Sequence, residues 1–110
     1  MFGLFGKFNE IPKRLKNAQE RVRQLVIEVR SENGIVYVKI NGLREILELK
    51  IDEEKAKELS YDQLSEIIKE TINDATKTLH IQIQEIFEDE LGDIADGIPG
   101  FDIKKMMPFN

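Results

Sequence analysis

Five cations, Lys13, Arg14, Lys16, Arg21 and Arg23, lie close together near the start of the chain, with Glu20 the only acid inside the run. Clustered arginine and lysine on a rigid element neutralise phosphates and displace condensed counterions, which gives salt-sensitive, sequence-tolerant binding to nucleic acid. No aromatic residue interleaves them, so stacking on single-stranded bases is not indicated. The competing reading is a charged helix face that only meets water. A second cluster, Glu85, Glu88, Asp89, Glu90, Asp93 and Asp96, has the donor chemistry for a divalent cation. Its spacing does not keep the twelve-residue calcium loop, so a solvated acidic face is the simpler account. His80 is the one histidine, and there is no cysteine. Neither a His/Cys metal site nor a Cys–His nucleophile pair can then be assembled within one chain. His80 is expected as a structural residue at the edge of a helix stripe. The glycines match turn positions rather than a phosphate-cradling loop. No enzymatic activity, cofactor, metal or small-molecule substrate is expected.

Composition narrows the frame. A chain of 110 residues makes one domain with a modest core. No apolar run approaches the roughly 18 residues of a membrane-spanning helix. The N-terminus lacks the uninterrupted apolar segment of a secretion signal, and the absence of cysteine permits a reducing compartment. The net charge of −5 conceals an asymmetry: residues 1–30 sum to +4, 31–51 to zero, 52–98 to −10 and 99–110 to +1. Electrically the chain is a basic head, a neutral middle and an acidic second half.

These charges must be held by elements built around residues 25–51, LVIEVRSENGIVYVKINGLREILELKI. The two-residue alternation predicts three short strands in an antiparallel meander. Asn33-Gly34 and Asn41-Gly42 are expected in primed hairpin turns, which need positive φ angles. Leu25, Ile27, Val29, Val36, Val38, Ile40, Leu47, Leu49 and Ile51 then share one apolar face that something must cover. The other face carries Val26, Glu28 and Arg30, then Ile35, Tyr37 and Lys39, then Ile46, Glu48 and Lys50. Its aliphatic members are either partly covered or simply paired across strands in the open.

A helix is expected from about Glu10 to Gln24, with Asn9 as N-cap and Pro12 tolerated in the first turn. Residues 1–9, with two glycines among bulky apolar residues, are expected as a flexible or loosely docked end rather than a helix. Ile11, Leu15, Ala18 and Val22 make a narrow apolar seam, of the kind two helices bury together. After a charged connector from Asp52 to Leu59, Ser60 and Gln63 have the spacing of a capping box. A long helix follows, with Leu64, Ile67, Ile68, Ile72, Ala75, Leu79, Ile83, Ile86 and Phe87 on one stripe. From Gly92 the periodicity stops, and residues 92–110 are expected as an irregular, loosely docked tail. The fold class is α+β, in the order α-β-β-β-α. A strand spans only about 20 Å, whereas 24 helical residues span roughly 36 Å, so the second helix overhangs the sheet. A homodimer using Ile11, Leu15, Ala18, Val22, Ile83, Ile86 and Phe87 would cover the seam and the overhang.

Several short motifs occur in one order along the chain: Met1-Phe2-Gly3, a polar helix, Glu32 before Asn33-Gly34, and Ile40-Asn41-Gly42 inside VYVKINGLREILELKID. Ile51-Asp52, Asn73-Asp74-Ala75, Pro99-Gly100-Phe101 and Met107-Pro108-Phe109 follow. In this the chain resembles the YbaB/EbfC family of small bacterial nucleoid-associated proteins over nearly its whole length. The resemblance implies a tweezer-like homodimer and cytoplasmic, nucleoid-associated binding to double-stranded DNA with little enzymatic chemistry. The departure is charge: the family is described as using basic residues near both helices, and here the second-helix region is strongly acidic. Lys13, Arg14, Lys16, Arg21 and Arg23 would carry most of the contact, with Lys7, Lys104 and Lys105 assisting. The alternative is a dimeric protein-interaction scaffold that uses its acidic second helix and does not touch DNA.

Overall fold

Alternating aliphatic and polar residues hold the centre of the chain in a meander. The structure, a computed structural model, describes residues 3–97, 100 and 102–107; the side chains of residues 3–8, 104 and 106 lie outside that description. Strands β1 (Val26–Arg30), β2 (Val36–Asn41) and β3 (Ile46–Ile51) form an antiparallel sheet in the order β1-β2-β3. Helices α1 (Gly3–Arg23), α2 (Glu53–Ala56) and α3 (Tyr61–Gly97) complete an α+β chain. Ile27 lies opposite Ile40 and Val29 opposite Val38, while Val38 faces Leu49 and Val36 faces Ile51 across the other ladder.

Both hairpin connections differ from the expected primed turns. In the first, Gly34 alone takes a positive φ, +72°. Asn33 instead accepts from the Ile35 amide through Oδ1 at 3.1 Å, and Ser31 Oγ accepts from the Ile35 and Val36 amides. In the second, the left-handed residue is Arg44, with φ 66°, rather than Asn41 or Gly42. Asn41 accepts through its backbone oxygen from Arg44, and through Oδ1 from the Leu43 and Glu45 amides at 3.0 and 2.9 Å. The asparagines therefore act as side-chain acceptors that mimic a backbone turn. Longer loops closing on one left-handed residue replace the two-residue turns.

A bulge corrects the expected face of β3. Lys39 opposes Glu48, but Ile40 opposes Ile46, which leaves Leu47 as the extra residue and sets Ile46 against the apolar side. The apolar face is covered unevenly. Ile27, Val36, Val38 and Ile40 are buried, while Ile46, Leu47 and Leu49 are 46%, 48% and 41% exposed.

The chain divides into two compact units, Leu25–His80 and the combination of Met1–Gln24 with Ile81–Asn110, and α3 contributes residues to each. In the sheet unit, Asp52 caps α2 by accepting from the Lys55 amide at 3.1 Å. The expected capping box is present: the Gln63 amide donates to Ser60 Oγ at 3.1 Å, and the Ser60 amide to Gln63 Oε1 at 2.9 Å. From that start α3 presents Thr71, Ala75 and Leu79 as its buried residues in this unit. Buried Thr71 satisfies its hydroxyl by donating to the Ile67 carbonyl at 2.7 Å.

The helical unit revises two boundaries. Helix α3 continues past Gly92 to Gly97, with Leu91 and Ile94 fully buried. An interior glycine costs about 1 kcal/mol, which the burial of Ile94, worth about 1.5–3 kcal/mol, outweighs. Helix α1 begins at Gly3 rather than Glu10, so Asn9 is not its cap and Pro12 stands in its interior. The proline leaves the Phe8 carbonyl without its helical donor, yet extending a nucleated helix is far easier than starting one. Ala18 and Val22 are buried, as are Ile83, Ile86 and Phe87, and Ile11 and Leu15 are half-buried. The seam and the overhang that called for a second subunit are thus covered within a single chain. A short 3-10 turn at Ile103–Met106 precedes buried Met107.

Candidate nucleic-acid interface

Helix α1 displays its cations in two different states. Lys13 and Lys16 are exposed and make no ion pair among the described residues. Arg23, also exposed, lies 3.9 Å from Glu20 one turn earlier, a separation that leaves it available to another anion. Lys105 is exposed. The side chains of Lys7 and Lys104 fall outside the described residues.

Arg14 and Arg21 are committed to the acidic end of α3. Arg14 donates through Nη1 to Asp93 Oδ1 at 2.7 Å and to the Glu90 carbonyl at 3.1 Å, and its Nη2 lies 3.3 Å from Glu10 Oε2. Arg21 Nη1 donates to Asp89 Oδ2 at 2.6 Å and to Glu90 Oε2 at 2.9 Å. The earlier arginine reaches the later carboxylate, so α1 and this part of α3 run antiparallel. The hydrogen bond to Asp89, then that to Glu90, raise the Arg21 guanidinium above its ordinary range. These carboxylates occupy the charge-assisted donors that a phosphate would use. A local signal for the pairing exists: Arg14 and Arg21 are two turns apart and flank the Ala18 seam, as Asp89, Glu90 and Asp93 flank Ile86 and Leu91 on α3. Reading it requires knowing that the two stripes meet.

The remaining acids do something simpler. Glu85, Glu88 and Asp96 are exposed, and Glu88 accepts from Gln84 at 3.4 Å. Among the described residues no group of three or more histidine, cysteine or acidic side chains is arranged to hold a metal ion. His80 is exposed on α3.

The sheet carries a second group of cations beside Tyr37. Arg30 lies over the Tyr37 ring at 4.7 Å and Lys50 at 5.6 Å from its centroid, beside an open groove that also involves Gly34 and Asp52. Sequence reasoning placed these residues on the mixed face and did not see the stack. Its charge is offset locally, because Lys50 pairs with Glu48 at 3.3 Å and Asp52 borders the groove. The Tyr37 hydroxyl donates to Glu28, which raises its pKa from 10.0 to about 12. As a phosphate site this surface is weaker than the exposed face of α1.

Similarity to known proteins bears on this arrangement. A nucleoid-associated protein of Agrobacterium fabrum is 31% identical over 99 residues, covering 90% of this chain and 89% of that protein. A nucleoid-associated protein of Finegoldia magna is 34% identical over 83 residues, covering 74% of this chain and 70% of its own. The crystal structure of an uncharacterised protein from Helicobacter pylori is similar with a TM-score of 0.58 at 20% identity, covering 72% of this chain and 92% of that one. That likeness speaks to the fold alone. A family model matches residues 1–95, and with that match the chain belongs to the YbaB/EbfC DNA-binding family.

Proposed function

We propose that this protein is a nucleoid-associated homodimer that binds double-stranded DNA with little sequence preference and performs no enzymatic chemistry. The exposed, uncommitted amines of Lys13 and Lys16 on a rigid helix carry this reading, in a chain of a DNA-binding family. Arg23 stands beside them, and Lys105, with Lys7 and Lys104, extends the set. Arg14 and Arg21 belong to the same basic surface but are held by α3, so the free protein presents fewer phosphate contacts than its sequence counts. A contact made by a few amines is electrostatic, weak and strongly salt-dependent. The cytoplasm, at the nucleoid, is the compartment this function requires. The tweezer-like arrangement of two copies forms part of the same proposal, as does a single domain over residues 1–110.

The test is a mobility-shift titration of duplex DNA at several salt concentrations, with Lys13→Glu/Lys16→Glu alongside the native chain. The double reversal abolishes binding and leaves the circular dichroism spectrum and Tm unchanged. Undiminished affinity would remove α1 as the contact. A second reading, a protein-interaction scaffold, draws support from exposed Glu85, Glu88 and Asp96, an acidic surface suited to a basic partner. It takes the lead if the native chain fails to retard duplex DNA at low salt.

A further inference from the structure

The cations of α1 have no aromatic residue among them, and the sheet supplies one on its mixed face. Arg30, Tyr37 and Lys50 stand directly opposite one another on β1, β2 and β3, so they make a single row across one face of the sheet. Arg30 lies over the Tyr37 ring at 4.7 Å and Lys50 at 5.6 Å from its centroid. The row borders an open groove of about 260 Å³, whose lining also includes Gly34, Ile35, Ile51 and Asp52. That volume is near the lower end for small-molecule sites, so the groove holds one unit of a ligand rather than a length of duplex. Lys55 adds a third cation, with its Nζ 2.9 Å from where a β-carbon on Gly34 would stand.

We propose that this groove binds single-stranded nucleic acid, taking one nucleotide whose base stacks on the Tyr37 ring and whose flanking phosphates meet Arg30 and Lys55. The site is separate from the α1 surface and stands independently of the duplex reading. An aromatic ring among cations on an open sheet face is the arrangement that holds unpaired bases. A duplex shows only phosphates and base edges, so the ring selects for a single strand.

Charge and anchoring both favour such a ligand. Arg30 and Lys55 make no ion pair among the described residues. The acids around them are engaged: Glu28 accepts from the Tyr37 hydroxyl, Glu48 pairs with Lys50 at 3.3 Å, and Asp52 caps α2 by accepting from the Lys55 amide at 3.1 Å. The bond to Glu28 pins the ring at its hydroxyl, so little further ordering is needed when a base arrives. In the free protein Arg30 occupies a face of that ring. A stacked base is a stronger partner for the face than an exposed guanidinium. The displaced guanidinium then turns its planar donors to phosphate oxygens. Binding here therefore has a stacking part that salt does not touch, which the purely electrostatic α1 contact lacks.

Nuclear magnetic resonance reads the contact directly. The chain has two tyrosines and no tryptophan, so Tyr61→Phe leaves Tyr37 as the one tyrosine to label. Titration with an oligodeoxyadenylate of about eight nucleotides should move the Tyr37 ring resonances upfield, because the ring current of a stacked base shields them. In fluorescence anisotropy, Tyr37→Leu should weaken binding of that oligomer about tenfold, and Tyr37→Phe, which keeps the ring, should not. Neither should change affinity for duplex DNA. Arg30→Ala with Lys55→Ala should lower the log–log salt slope by about 1.4, at about 0.7 for each phosphate contact on a single strand. Unmoved Tyr37 resonances, undiminished binding by Tyr37→Leu, or no binding of the oligomer at low salt would each overturn the site. Equal shifts with deoxyadenosine monophosphate at the same concentration would assign the groove to a free nucleotide and overturn the single strand as its ligand. A native chain that ignores duplex DNA while the oligomer moves Tyr37 would remove the duplex reading and support this one.

Discussion

Neutralising the carboxylates that hold Arg14 and Arg21 should convert a weak DNA binder into a stronger one. The perturbation is Asp89→Asn, Glu90→Gln and Asp93→Asn together, which preserves shape and removes three negative charges from each chain. It cuts the 2.6 and 2.9 Å bonds to Arg21 and the 2.7 Å bond to Arg14 as ionic contacts. Arg21 loses both of its carboxylate partners, and Arg14 keeps only the Glu10 carboxylate and the Glu90 carbonyl, so up to two guanidiniums per chain become available to phosphates. Each added phosphate contact steepens the log–log salt dependence by about 0.9. Two more contacts steepen it by about 1.8 for one chain and about 3.6 for a duplex that engages both subunits. The cost in stability is small at Asp89, whose pair with Arg21 is substantially exposed and contributes about 0–1 kcal/mol, and larger at Glu90 and at the Arg14 contact, whose side chains are only 20% and 29% exposed. Fluorescence anisotropy with a labelled duplex, from 50 to 300 mM KCl, measures both affinity and slope. Tighter binding with an unchanged slope would mean only that repulsion had been relieved, within a Debye length of about 10 Å at 0.1 M salt. Unchanged affinity and slope would refute the view that α3 occupies phosphate-binding groups.

Other outcomes follow from single sites. Reversing Arg14 and Arg21 to Glu should lower Tm as well as DNA affinity, unlike reversal of Lys13 and Lys16, because it sets like charges against Asp89, Glu90 and Asp93. Phe87→Ala should cost about 3–5 kcal/mol in urea denaturation, since the ring is fully buried. Ser60→Ala should cost about 1 kcal/mol by loss of the α3 cap. Arg44→Gly should add up to about 1 kcal/mol, because a side chain at φ 66° opposes the left-handed conformation that glycine adopts freely. Ultraviolet titration should find Tyr37 ionising near pH 12, and Glu28→Gln should bring it down. The folded state holds that proton more tightly than the unfolded chain does. The contribution is therefore complete below about pH 10 and is lost as pH rises through about 12.

What could be read from the sequence was what is local. Ser60 and Gln63 are three residues apart and bond to one another, so their spacing alone gives the cap. Alternation gives three strands and their order, because a meander with short loops has few other ways to pair. Neighbouring asparagine and glycine mark where the chain turns, but not whether the asparagine bends its own backbone or lends a carbonyl to the next residues. The bulge at Leu47 depends on the register against β2, which no window of β3 contains. The start of α1 depended on cooperative extension through residues that are poor helix formers taken singly. Arg14 and Asp93 are 79 positions apart, and only the meeting of two helical stripes turns a basic cluster and an acidic cluster into one neutralised surface. The burial of Ala18, Val22 and Phe87 has the same origin.

Strand β1 gives the sheet a different kind of ending from β3. It is five residues long, carries Glu28 and Arg30, and lies at the other edge. A contact between two like edges would be isologous and close on itself, whereas a β1-to-β3 contact would be head-to-tail and could add copies without limit. Both strands are short, and β3 carries Glu48 and Lys50 as β1 carries Glu28 and Arg30, which makes each a poor template for such growth. What differs is the apolar surface: Val26 alone is an exposed large aliphatic residue on β1, against Ile46, Leu47 and Leu49 on β3. An added strand would therefore find apolar partners at one edge and not at the other, which disfavours the head-to-tail contact that needs both.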